Sequence, residues 1–227
     1  MRKFESIKTF LPAVAVAIFI LASSGIKAVA ADPQAVDATS SSSINESNNG
    51  SGASKYAKLN GVFGRLESRN FSSKAVTADE LNLLLNAAFA SPTGGNQHAI
   101  ELMLVTDRSK MKVIQEGHPH SKALDTAPLV IVIAENTKTA KYPELSALDA
   151  GIAAMSIMVE AADLGLQTVP MSIKPQKERI DAVAKALGNP PEAIPQIMIA
   201  IGHSDVDTNT HASTNYFNAS QVHTNKW

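Results

Sequence analysis

A chain of 227 residues, 44% hydrophobic and with a formal net charge of −1, has the composition of one sizeable globular domain plus an extension. The near-neutral charge gives no electrostatic footprint for nucleic acid or an acidic surface. Cysteine is absent, which excludes disulfides, thiolate metal sites, iron–sulfur clusters and a cysteine nucleophile, and which suits an oxidising compartment.

The chain opens with Arg2, Lys3 and Lys8 and then runs apolar and uncharged from Leu11 almost to Ile26. Ala28-Val29-Ala30 follows as a small-x-small signal. This is the tripartite pattern of a secretory signal peptide, expected to span residues 1–31 and to be cut after Ala30 or Ala31. No arginine pair precedes the apolar run, which favours the general secretion route into the periplasm or medium. No cysteine follows the cut, which rules out a lipid anchor, so membrane attachment requires that the signal stay uncleaved. Residues 32–54, with SSSS at 40–43 and NNGSGAS at 48–54, are too polar to bury a core and read as a disordered linker.

The folded domain is expected over 55–227. Tyr56, Leu59, Val62, Phe63 and Leu66 repeat at helical spacing and predict a first helix ending near Arg65. Thr77-Ala78-Asp79-Glu80 is a capping box that opens a helix through Ala90, with Leu81, Leu84, Leu85, Ala88 and Phe89 inward and Pro92 as the stop. Glu101–Thr106 is a predicted strand, Ser109–Gln115 a short helix, and Pro128–Ala134 a strand buried on both faces. Ala147–Leu164 is a helix apolar almost all round, which needs cover on every side, from layers of its own domain or from a second subunit. A strand at Thr168–Ile173, a helix at Pro175–Leu187 ended by Gly188, and a strand at Pro195–Gly202 complete the pattern. Helices and strands alternate without regular βαβ units, which predicts an α+β sandwich around a mixed sheet.

Little local chemistry is legible. Asp149 and Asp163 lie on the long helix without a spaced Ser or His partner. His118 and His120 lack a third ligand nearby, so no metal site is expected. The glycine-rich phosphate fingerprints are absent. What stands out is Arg65 and Arg69, whose guanidinium forks suit phosphate, and the Gly94-Gly95 turn, whose bared backbone can approach a flat polar ligand.

In order along the chain, these features resemble the nitroreductase family. Arg65-Leu66-Glu67-Ser68-Arg69-Asn70-Phe71 lies where the family has Arg-Arg-Ser-x-Arg-x-Phe, and Ser91-Pro92-Thr93-Gly94-Gly95-Asn96 is similar to its Ala-Pro-Ser/Thr-x-x-Asn turn. The segments from His118 to Glu135, from Asp149 to Pro170 and from Ile194 to His203, with the ending Val222–Trp227, resemble later family segments. The resemblance implies an α+β, domain-swapped homodimer with one FMN in each of two interface clefts. By the same resemblance Arg65, Ser68 and Arg69 hold the FMN phosphate, Pro92, Thr93, Gly94 and Asn96 line the isoalloxazine ring, and Pro170, Met171 and Ser172 lie along its other face. No side chain is catalytic, because the flavin carries two electrons from NAD(P)H or another donor to a small conjugated acceptor such as a nitroaromatic or quinone.

Three departures stand against the pattern. Glu67 replaces the motif serine, His98-Ala99-Ile100 replaces Gln-Pro-Trp, and Asn215-Tyr216-Phe217-Asn218 stands where many members have a further arginine. They keep a second reading open, a dimer of the same fold that binds or scaffolds without redox activity.

Overall fold

The computed structural model describes residues 61–204 and 218–227. The expected signal peptide, linker and start of the first helix lie outside the described residues, as do Asn215, Tyr216 and Phe217. Of that first helix the described part, Gly61–Gly64, is a single 3-10 turn, whose Gly61 N–H donates to Asp163 Oδ1 at 2.9 Å.

Helix α1 covers Ala78–Phe89. Its capping box forms as the sequence predicts. The Thr77 hydroxyl accepts from the Glu80 N–H at 3.3 Å, and the Glu80 carboxylate accepts from the Thr77 N–H at 2.7 Å. Strand β1 (Ile100–Val105) follows, then helix α2 (Arg108–Gly117), strand β2 (Leu129–Asn136) and helix α3 (Ser146–Asp163). Strand β3 (Gln167–Ser172), helix α4 (Lys177–Leu187) and strand β4 (Ala193–Gly202) close the series.

The strands lie in the order β1-β2-β4-β3, and every neighbouring pair is antiparallel. The mixed character expected of the sheet comes down to one parallel bridge, Glu67 to Thr168, on the outer side of β3. Buried strands such as β2 are apolar on both faces whichever way their neighbours run, so composition could not settle the direction of pairing.

Alternation along β2 divides the core. Val130 and Val132 point to one side, where they meet Met111 and Ile114 of α2 and Val183 of α4. Leu129, Ile131 and Ile133 point to the other, where they meet Leu84 and Ala88 of α1 and Ala150, Ala153, Ala154 and Ile157 of α3. The molecule is thus a three-layer sandwich with α2 and α4 below the sheet and α1 and α3 above it.

Helix α3 is not covered all round. Its buried line runs through Ser146, Asp149, Ala150, Ala153, Ala154, Ile157, Met158 and Ala161. Leu148 on its opposite side is 58% exposed, and Val62 and Phe63 in the neighbouring 3-10 turn are each 54% exposed. The small alanines let the helix sit close to the sheet, and its outer face remains apolar.

Candidate active site

The expected site residues fall into two groups. The first lies along the outer edge of β3. The Ser68 N–H donates to the Thr168 carbonyl at 3.2 Å, and the Thr168 N–H donates to the Leu66 carbonyl at 3.1 Å. The arginine-bearing segment is therefore an extra strand turn laid beside β3. Arg65 is partly buried, with Nη1 4.0 Å from the Met158 sulfur of α3, while its Nε is buried without a partner among the described residues. A buried guanidinium N–H left without an acceptor is costly and marks a place for an incoming one. Arg69 and Glu67 are exposed.

Ser68 does not stand beside the arginines as expected. It is 5% exposed, and its hydroxyl is taken up by the Asn70 backbone and by Ser204 Oγ at 3.4 Å. Its exposed neighbour Glu67 is the bridge residue, and in an extended segment adjacent side chains take opposite sides.

Pro170 has a physical reason to be in a strand. Both backbone groups of Thr168 face away from β4, so by alternation those of Pro170 and Ser172 do too. A proline nitrogen at that outward edge forfeits no ladder bond. Beyond the Glu67 bridge the edge is open, with the Ser172 N–H outward. The Ser172 carbonyl is held by two donors, His118 Nε2 at 2.9 Å and Arg179 Nη1 at 2.8 Å, and Arg179 also reaches Ser172 Oγ at 3.0 Å. Met171 differs from expectation. Its side chain is 6% exposed in the lower core, so only its backbone can face a ligand.

His118 is 2% exposed, and its Nδ1 has no partner among the described residues. Burial holds its imidazole below the ordinary histidine range, with the bond to the Ser172 carbonyl opposing that shift. It is thus a neutral donor to Ser172.

The second group is the turn after α1. Gly95, Asn96 and His98 all have positive φ, at 59°, 53° and 47°. Such backbone is sparsely populated for non-glycine residues and persists only where surroundings impose it. Here they do. The His98 N–H donates to Thr93 Oγ1 at 3.1 Å, and His98 Nε2 donates to Asn96 Oδ1 at 2.8 Å. Ser91 Oγ bonds Ser156 Oγ of α3 at 2.8 Å. The Gly94 N–H donates to Asp149 Oδ1 at 2.8 Å, and Gln97 Nε2 donates to Asp149 Oδ2 at 2.7 Å. A Cβ on Gly94 would come within 2.3 Å of Leu145 Cδ1, and one on Gly95 within 2.3 Å of the Tyr142 ring. Pro92 and Asn96 are exposed, and Thr93 and Gly94 partly so.

The two groups do not meet within one chain. The turn precedes β1 at one edge of the sheet, and the arginine segment flanks β3 at the other. Along α3 their anchor points, Asp149 and Met158, are nine residues apart, about 13 Å of helix.

A model of the nitroreductase family matches residues 112–203, which contain α3, β3 and β4. Over these residues the chain is similar to the nitroreductase family. A relative from Archaeoglobus fulgidus, which carries the name of an NADH dehydrogenase/NAD(P)H nitroreductase, is 25% identical over 167 residues, covering 73% of this chain and 96% of its own. A Clostridium acetobutylicum crystal structure, named for an NADH oxidase, superposes with a TM-score of 0.69 at 28% identity and covers 73% of this chain and 99% of its own. The FMN-dependent nitroreductase of Clostridium difficile R20291 shares the fold, with a TM-score of 0.66 at 23% identity over 73% of this chain and 97% of its own. All three alignments span nearly the whole of the other protein and leave about a quarter of this chain outside.

Asp149, Gln97, Tyr142, His118 and Arg179 are absent from the sequence reading of the site. Asp149 carried a signal, a lone acid on an otherwise apolar helix face. His118 was visible as one of the His118/His120 pair but not as a donor to Ser172, and Gln97, Tyr142 and Arg179 carried no signal, because their role depends on which backbone groups the fold brings to them.

Proposed function

We propose that this nitroreductase-family chain is an exported FMN oxidoreductase, acting as a homodimer, that carries two electrons from NAD(P)H or another donor to a small conjugated acceptor of the nitroaromatic or quinone type. The observation that carries the reading is the arginine-bearing segment docked on the open edge of β3, with the Arg65 Nε buried and lacking an acceptor among the described residues.

The residues fit FMN. Arg65 and Arg69 offer charge-assisted donors for its phosphate. The Ser172 N–H, aimed out of the edge by the grip of His118 and Arg179 on the same residue's carbonyl, is placed to donate to a flat heteroaromatic ring. Pro170 and the Met171 backbone give that ring a wall, and Pro92, Thr93, Gly94 and Asn96 give it a second. When bound, FMN supplies the two-electron chemistry, and the protein supplies position and electrostatics.

The two walls lie at opposite sheet edges, so a second copy is what closes the cleft. The exposed apolar side chains of Val62, Phe63 and Leu148 beside α3 support that reading, since an uncovered apolar face of this kind marks an interface. So does the ending. Trp227 is wholly exposed, and its ring contact among the described residues is with His223 of its own segment, at 4.7 Å between ring centroids. A partner surface is the natural cover for it. The basic and apolar start of the chain supports export.

Glu67 favours the second reading. It puts a carboxylate between the two arginines where the family pattern has a hydroxyl, and Ser68 is turned inward. Reconstitution with FMN separates the readings. The expected result is a dimer by light scattering that keeps a stoichiometric yellow flavin absorbance through gel filtration. A folded dimer that keeps none is the scaffold, and a flavin-free monomer refutes both.

A further inference from the structure

The buried contacts of Asp149 form a chain with one permitted direction. At one end the Tyr142 N–H donates to Gln97 Oε1 at 2.9 Å, and Gln97 Nε2 makes a longer contact, 3.4 Å, to the carbonyl of the same residue. In the middle Gln97 Nε2 donates to Asp149 Oδ2 at 2.7 Å. At the other end the Gly94 N–H donates to Asp149 Oδ1 at 2.8 Å. Both ends are backbone N–H groups, which can only donate. Between them stand one amide, with one acceptor and one donor side, and one carboxylate, which only accepts. Asp149 is 1% exposed and Gln97 8%, so water cannot repair a mismatch.

We infer that this directional chain is a latch that sets the strained turn Thr93–His98 against the start of α3, and that Asp149 and Gln97 are positioning residues for whatever the turn lines. For the ligand the inference rests on the FMN reading above. The latch ties the turn after α1 to the start of α3 and to Tyr142, which leads into α3 through the 3-10 turn Pro143–Leu145. Without it, Asn96 and His98 have, among the described residues, their mutual hydrogen bond and Thr93 to hold their left-handed backbone.

The direction makes an unusual prediction. Asp149→Asn alone sets an amide donor against the Gln97 amide donor. Gln97→Glu alone sets two carboxylates face to face. The exchange of both, Asp149→Asn with Gln97→Glu, restores the three matches of the chain and gives up only the long 3.4 Å contact from position 97 to the Tyr142 carbonyl. The carboxylate now at position 97 accepts from the Tyr142 N–H and from the side-chain amide now at position 149. The oxygen of that amide accepts in turn from the Gly94 N–H.

The test measures two things on the four full-length proteins, exchange of the Gly94 amide hydrogen without flavin and FMN affinity by flavin fluorescence. Each single variant is expected to speed Gly94 exchange and to weaken FMN, both by about tenfold or more, the size of one lost buried hydrogen bond. The exchanged pair is expected to return both to within about threefold of the parent, a non-additivity that only direct contact produces. A pair as impaired as the worse single, or an Asp149→Asn protein with parental exchange, overturns the latch. If the singles do not fold, a folded pair with a protected Gly94 amide supports the latch, and an unfolded pair overturns it. If the parent binds no FMN, the flavin reading falls, and the exchange measurement alone decides the latch.

Discussion

Arg65 and Glu67 sit two positions apart on the same short segment and are expected to act on a phosphate with opposite sign. Arg65→Ala is expected to weaken FMN by about 2 kcal/mol, some thirtyfold, and to leave riboflavin, which lacks the phosphate, nearly unchanged. Glu67→Ser is expected to tighten FMN, since it removes a like charge at an exposed position. Fluorescence titration of both variants with both flavins checks this, and equal loss of riboflavin would move Arg65 away from the phosphate. A third residue titrates with the fold itself. Burial lowers the His118 pKa, so the unfolded chain takes up its proton at a higher pH than the folded one. The stability it contributes is therefore complete above the ordinary histidine value of 6.5 and is lost as pH falls from there toward the lowered folded value. Its protonated ring would also carry a buried Nδ1–H with no acceptor among the described residues. Urea unfolding from pH 7.5 down to about 5 should show that decline, and His118→Gln, which can keep a donor to the Ser172 carbonyl, should flatten it.

Elements show where local rules suffice and where they fail. The capping box at Thr77 forms because both its partners lie within one turn, so the sequence alone predicts it. Thr77→Ala should lower the unfolding free energy by about 1 kcal/mol, measured by chemical denaturation, with no effect on flavin. The turn Thr93–His98 is the opposite case. Its glycines are legible as a turn, but its Gly94 and Gln97 are tied to Asp149, more than fifty residues away in sequence. Gly95→Ala should cost more than Gly165→Ala. Both positions have positive φ, but a Cβ at Gly95 strikes the Tyr142 ring at 2.3 Å, whereas one at Gly165 meets nothing within 4 Å. The difference in melting temperature between the two variants isolates the Tyr142 contact from backbone strain, and equal values would place Tyr142 elsewhere in solution. Element limits moved by a few residues for the same kind of reason: β2 runs on to Asn136 because its partner β4 starts at Ala193 and supplies the ladder, irrespective of hydrophobicity.

At the scale of the molecule, the outer face of α3 and the ending both bear on the proposed second copy. Deleting Val222–Trp227 is expected to lower thermal stability and weaken the proposed dimer, because a segment with an exposed tryptophan gains order by docking. Unchanged light-scattering mass and melting temperature would show that the ending docks nowhere. The amino-acid sequence by itself determined the layer plan, since hydrophobic period, caps and turn residues are local and additive. It also carried the resemblance to the nitroreductase family, through motifs that keep their order from Arg65 to the ending. Tertiary structure decided the rest. It made the four strands antiparallel, turned Ser68 and Met171 inward, recruited His118 and Arg179 to Ser172, and gave Asp149 its two donors. Each of these depends on which backbone group meets which side chain across the sheet. Such meetings are long-range and directional, and no local pattern of residue types encodes them.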